Sequence, residues 1–223
     1  MHWQPIALDQ LAAKQCIAPG ALHVWWWPEP LQPSAATRRL RTDAILRTVL
    51  ARYMGLEPQA LLFGRETKGR PYLQHADAPD FNFSDTGGGS VLAVGSGGRV
   101  GIDIERWDRR PPTARLAARW FAPEEADALL GLDAEFSRRA FLRLWTAKEA
   151  SCKATGTGIY GRLAAWRFAI DEVAASPVAL HFPPDAGASA QWRFHRLSPA
   201  ASHTVALACI DILARPQGYR VVR

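Results

Sequence analysis

Two short stretches hold the residues best placed to do chemistry. The first, Arg99-Val100-Gly101-Ile102-Asp103-Ile104-Glu105-Arg106, alternates strictly: Val100, Ile102 and Ile104 fall on one side, Gly101, Asp103 and Glu105 on the other. Period-two alternation with β-branched residues predicts a half-buried strand, and residues two apart on a strand share a face. Asp103 and Glu105 therefore project together. Neighbouring carboxylates repel, and a hard divalent cation with oxygen ligands, such as Mg²⁺, removes the repulsion. A solvated strand face flanked by Arg99 and Arg106 is the plainer alternative. Gly101 leaves room for something bulky to approach the backbone.

The second stretch runs FLRLWTAKEASCKATGTG from Phe141 to Gly158. Phe141, Leu142, Trp145 and Ala150 have helical spacing, and Gly156 with Gly158 supplies a stop. Trp145, Glu149 and Lys153 then form one stripe. Glu149 and Lys153 are either an ordinary surface ion pair or a third carboxylate beside a lysine placed to meet phosphate.

These motifs need elements to hold them. A chain of 223 residues suits one or two compact domains with a proper core. Its formal charge of +6, carried mainly by arginine, favours an anionic partner. Cys16, Cys152 and Cys209 form no C-x-x-C pair, which predicts a reducing compartment rather than a disulfide framework. There is no basic-then-apolar leader and no apolar run of about 18 residues, so a cytoplasmic protein without a membrane span is expected.

Leu22-His23-Val24-Trp25-Trp26-Trp27-Pro28 predicts a first strand covered on both faces and ended by proline; a base-stacking platform is the alternative. Residues 34–54 predict a helix capped by Ser34, with Arg38, Arg39, Arg41, Arg47 and Arg52 on its basic side. Leu61-Leu62-Phe63 predicts a short strand, followed by the cationic turn Arg65 to Pro71. Ser90–Val94 and Arg99–Glu105 predict a hairpin around Gly95-Ser96-Gly97-Gly98. Arg106 to Pro112 is the expected boundary between an N-terminal half, 1–107, and a C-terminal half, 108–223. Pro123 opens a short helix at Glu124-Glu125. Trp166–Ile170, Val178–Phe182, Gln191–Leu197 and His203–Ile210 predict strands. No two histidines have metal-ligand spacing, so no zinc site is expected.

G-I-D-I-E, followed about forty residues later by W-T-A-K-E-A-x-x-K-A-x-G-x-G, resembles the signature motifs of the 4′-phosphopantetheinyl transferases, in the order of their two-domain, Sfp-like branch. Gly69-Arg70-Pro71 resembles that family's G-K/R-P, and Phe81-Asn82-Phe83-Ser84 its F-N-x-S. The resemblance implies an α+β fold of two similar, pseudo-duplicated halves with the active site between them. A faint echo of Ser84-Asp85-Thr86 in Ser202-His203-Thr204 is consistent with duplication. It implies Mg²⁺, or Mn²⁺ in its place, on Asp103, Glu105 and Glu149, with Glu149 as general base and Lys153 on the departing phosphate. Arg47, Arg65, Arg70 and Ser84 match positions that contact coenzyme A, and Glu125 resembles an acid near the site. Where the family has a histidine against a phosphate of coenzyme A, this chain has Asp85, which cannot donate to a phosphate and repels it.

The implied reaction moves 4′-phosphopantetheine from coenzyme A to a serine of an apo acyl or peptidyl carrier protein. A monomer without nucleic-acid or membrane partners is expected. The alternatives are a metal-dependent nucleotide or coenzyme A hydrolase using the same carboxylates, and a basic nucleic-acid-binding module.

Overall fold

The computed structural model describes residues 1–8, 16–29, 35–171 and 174–222. In chain order its strands are β1 (Trp3–Ala7), β2 (Leu22–Pro28), β3 (Phe63–Arg65), β4 (Pro71–Leu73), β5 (Asp80–Thr86), β6 (Gly89–Gly95), β7 (Arg99–Arg106), β8 (Arg167–Phe168), β9 (Ala179–His181), β10 (Trp192–Leu197), β11 (His203–Ile210) and β12 (Gln217–Val222). The helices are α1 (Ala35–Met54), α2 (Thr113–Trp120), α3 (Pro123–Leu130) and α4 (Ala134–Thr155). The expected cap Ser34 and the side chains of Arg38 and Arg39 lie outside the described residues. Among the described residues, no helix is long and apolar enough to cross a membrane.

Two sheets dominate this α+β fold. The larger has the order β1-β12-β2-β6-β5, and the smaller, antiparallel one the order β10-β11-β7. Each half of the chain lends a strand to the other's sheet: β12 runs parallel between β1 and β2, and β7 pairs with β11.

The layers follow from strand periodicity. Trp25, Phe81, Leu92 and Val94 face α1, where Val49 and Leu50 meet them. Val24, Trp26, Val91 and Ala93 face the other way and pack on Val100, Ile102, Ile104, Val205 and Leu207 of the smaller sheet. The far side of that sheet, at Ala206 and Ala208, receives α4 through Phe141, Leu144, Ala147 and Ala150. The order is helix, sheet, sheet, helix. It explains the continuous apolar run of β2, which is buried on both faces. The tryptophans are core.

One expectation is corrected. The stretches 90–94 and 99–105 do not form a hairpin: both sides of β6 are already paired, with β2 and with β5, so β7 crosses to the second sheet. The edge of β7 left facing β5 is satisfied by side chains instead. Asp80 Oδ2 accepts from Val100 N at 2.8 Å and Asn82 Oδ1 from Ile102 N at 2.9 Å. Exposed strand edges need such partners.

Gly101 decides how close α4 comes. A Cβ there would strike the Ala150 carbonyl oxygen and the Ala154 nitrogen, both backbone atoms of α4. The helix therefore lies directly on the polar face of β7. We expect Gly101→Ala to lower stability by about 1–3 kcal/mol, because a backbone contact cannot yield by rotamer change. Urea unfolding measures this; a wild-type midpoint would show that the helix does not rest on that glycine.

Candidate active-site cleft

The site forms where β5, β7 and the end of α4 converge. Asp133 starts α4 by accepting from the Glu135 and Phe136 amides, and Gly156 ends it in the left-handed conformation, φ 73°, donating to Cys152 O. Glu149 and Lys153 lie one turn apart near that end. The cleft beside them has a volume of about 460 Å³ and is lined by Ser84, Asp85, Thr86, Asp103, Glu105, Arg109, Glu149 and Lys153, among others.

Asp103 is at its centre. Its Oδ1 accepts from Ser84 Oγ at 2.8 Å and from Lys153 Nζ at 2.5 Å. Lys153 also donates to Ile102 O at 3.2 Å and lies 3.6 Å from Glu149 Oε2. Glu105, on the same strand face, is paired with Arg109. Burial first, and the negative charge of Asp103 second, push the Glu149 carboxyl up to about 7, against the pull of Lys153. Burial opposes the charge on Lys153, but Asp103 and Glu149 outweigh it and raise its pKa.

Among the described residues, no group of three or more His, Cys, Asp or Glu side chains is gathered to hold a metal ion. Lys153 and Arg109 balance the carboxylates instead. The donor chemistry of Asp103, Glu105 and Glu149 does fit a hard cation: all three offer oxygen to one polar cleft. Burial first, and repulsion by Asp103 second, raise the Glu149 carboxyl, and a divalent cation would relieve the second of these.

The other expected contacts divide. Ser84 and Asp85 line the cleft, Asp85 on its exposed wall. Arg47, Arg65 and Arg70 do not. Arg47 is tied to Asp43 at 3.0 Å and to the Pro58 and Leu61 carbonyls. Arg65 is exposed and donates to Gly69 O at 2.9 Å. Arg70 is buried, with its guanidinium on Lys153 O at 2.8 Å, both oxygens of Asp80, Phe81 O and Val100 O. Its side chain is thus directed into the protein and not at the wall of this cleft. It holds together the three elements that bear the site. Arg99 repeats the pattern, donating to Ala154 O at 2.7 Å while Glu66 holds its other end. Two cations thus meet the carbonyl end of α4.

Glu125 does not line this cleft. It is buried under α4, accepting from Lys148 Nζ at 2.6 Å, Phe168 N at 2.9 Å and Ala122 N at 3.2 Å. The residues that sequence reasoning missed are Arg109, Asp80 and Lys148. Arg109 sits in a boundary stretch without periodicity. The alternation Asp80-x-Asn82-x-Ser84 was a readable signal of one polar strand face.

An acid-lined cleft at a strand–helix seam in an α+β protein is the class that fold and site define. A sequence model of the 4′-phosphopantetheinyl transferase superfamily matches residues 99–209, the span that carries β7, α4 and β11. The 4′-phosphopantetheinyl transferase psf-1 of Bacillus pumilus is 30% identical over 192 residues, 81% of this chain and 80% of that protein. HetI of Nostoc, a 4′-phosphopantetheinyl transferase, is 38% identical over 118 residues, 52% of this chain and 50% of its own length. The Synechocystis protein slr0495 is 35% identical over 164 residues, 73% of this chain and 65% of its own length. The chain thus spans about half to two thirds of the last two relatives. The holo-[acyl-carrier-protein] synthase of Thermotoga maritima gives a loose structural likeness, with a TM-score of 0.37 at 26% identity over 51% of this chain and 62% of that one. The chain belongs to the 4′-phosphopantetheinyl transferase superfamily.

Two tests follow from the geometry. Removing the buried Arg70 leaves the half-buried Asp80 without its guanidinium and three carbonyls without their donor, so Arg70→Met should cost about 2–4 kcal/mol in denaturant unfolding. Arg65→Met, which removes an exposed contact, should stay within about 0.5 kcal/mol. Equal, small effects would mean that Arg70 ties nothing together.

The second concerns Glu149. A carboxyl raised from 4.5 to about 7 binds its proton more tightly in the folded than in the unfolded chain. Stability is therefore fully helped below about 4.5 and is lost as pH rises through about 7. The loss in the metal-free protein should be about 1–3 kcal/mol. Glu149→Gln should flatten that part of the stability curve; an unchanged slope would place the titration elsewhere.

Proposed function

We propose that this chain transfers 4′-phosphopantetheine from coenzyme A to the serine hydroxyl of an apo acyl or peptidyl carrier protein and releases adenosine 3′,5′-bisphosphate. The observation that carries the reading is the meeting of strand and helix at one cleft, Lys153 being 2.5 Å from Asp103 and 3.6 Å from Glu149. Membership of the superfamily supports it.

Each residue has a task that its surroundings suit. Glu149 accepts the proton of the incoming hydroxyl, directly or through a water, from its place beside Lys153 in the cleft. The serine oxygen then bonds to the phosphorus that bears pantetheine, and the bond from that phosphorus to the bridging oxygen breaks. Negative charge collects on the departing phosphate, and Lys153, held beside the cleft as a cation, neutralises it. Asp103, Glu105 and Glu149 would hold Mg²⁺, which supplies charge neutralisation at the pyrophosphate when bound. Ser84 fixes Asp103 through the 2.8 Å hydrogen bond. Asp85 makes its wall unfavourable for a phosphate. The protein works as a cytoplasmic monomer in this reading, with its halves dividing near Arg106 to Pro112.

Mass spectrometry of an apo acyl carrier protein incubated with this protein, coenzyme A and Mg²⁺ should record the gain of one phosphopantetheine. Asp103→Ala should lower that rate by about a hundredfold or more and abolish the rise in melting temperature on adding Mg²⁺, with circular dichroism unchanged. Breakdown of coenzyme A without modification of the carrier would replace this reading with a hydrolase.

A further inference from the structure

A second, larger cleft lies between β10, the outer strand of the smaller sheet, and the start of β12. Its volume is about 680 Å³, and it shares no lining residue with the acid-lined cleft. His2, His195, Arg196 and Arg215 contribute its charged and titratable groups, with Phe194 and Pro216 among its apolar ones. No aspartate or glutamate lines it among the described residues.

The two arginines of the cleft differ in what surrounds them: Asp171 lies close enough to Arg196 to act on its charge, and Arg215 stands apart. Arg215 is exposed and carries no ion pair among the described residues. Arg196 is steadied by the Ala174 carbonyl at 2.5 Å, and Arg143 and Asp171 lie with it in a separate, smaller recess. His195 Nε2 is buried without a hydrogen-bond partner. Burial first, then the charges of Arg193 and Arg215, lower the pKa of the imidazole. Clustered like charges of this kind cost stability unless an anion joins them. Guanidinium groups match phosphate oxygens in geometry as well as charge. The volume falls within the range of small-molecule sites, which combine apolar walls with a few convergent polar groups.

We propose that this cleft binds a phosphate ester of nucleotide size, its phosphate against Arg215 and its flat body against Phe194 and Pro216. The site is independent of the transfer reaction proposed above and stands whether or not that reading holds.

The test uses ADP as probe and the histidine signals as local reporters. Imidazole resonances of the full chain are assigned by His2→Gln and His195→Gln, then followed by NMR during titration with ADP in the presence of EDTA. The expected result is a saturable shift of the His195 and His2 signals. Arg215→Gln, at an exposed position, should weaken that binding about tenfold, the scale of one charge-assisted hydrogen bond, and leave carrier-protein modification unchanged. Histidine signals that stay fixed at millimolar ADP would overturn the proposal. So would an affinity that Arg215→Gln does not alter.

Discussion

The structure depends on how two sheet edges meet. β5 closes the larger sheet and β7 the smaller, and no main-chain ladder joins them. Three alternate side chains of β5 bridge the gap instead. Asp80 and Asn82 accept from backbone amides of β7, and Ser84 donates to the carboxylate of Asp103. A continuous sheet would have buried this line in main-chain pairing. A side-chain seam keeps it polar, and toward the Asp103 end it opens into the cleft. Gly101 then admits the backbone of α4 to the same face, which is how a helix residue such as Lys153 reaches a strand carboxylate.

Charge in that cleft is arranged against itself. Asp85, Asp103, Glu105 and Glu149 face only Arg109 and Lys153 along the wall. Each cation is already committed, Arg109 to Glu105 and Lys153 to Asp103 and Glu149. The residual anionic character is borne by Glu149, which shares Lys153 with Asp103 at the longer distance of 3.6 Å, as a carboxyl that holds its proton to about 7. One element therefore both disfavours the ionised state and supplies a base near neutrality. Lysine suits position 153 because a single ammonium on a flexible stem can serve two carboxylates and still turn toward a third anion.

Much of this was readable in the residues. The strand at β7, the double-sided burial of β2, the glycine stop of α4 and the bounds of β11 follow from local pattern, but β7 is buried on both faces rather than half-buried, because α4 covers the polar face that alternation assigns to solvent. So did Asp103, Glu105, Glu149 and Lys153, because period two and period 3.6 place each pair on one face. What local pattern could not supply was partnership. β12 carries Gly218 under Trp3 and alternates poorly, so nothing in it announces a central strand between β1 and β2. The turn after β6 looked like a hairpin because sequence does not reveal that β6 is already paired on both sides. The start of α4 and the eight residues of α2 were missed, since short amphipathic segments are settled by tertiary packing.

Arginine explains the gap between net charge and site. A surplus of +6 suggests that cations crowd the functional cleft, yet the cleft wall is acidic. Arg70, Arg99, Arg138 and Arg47 are directed at carbonyl oxygens: Arg70 and Arg99 at the end of α4, Arg138 at Trp107 O and Arg109 O, Arg47 at Pro58 O and Leu61 O. Five donors in a rigid fork let one guanidinium replace several missing main-chain partners. That use is structural, and it demands cations wherever chain ends and irregular segments leave carbonyls exposed. Such arginines raise the formal charge without marking a ligand site. A ligand-facing cation is better recognised by what it lacks, a committed carboxylate or carbonyl, and by that measure Arg215 is a stronger candidate than any arginine in the motifs.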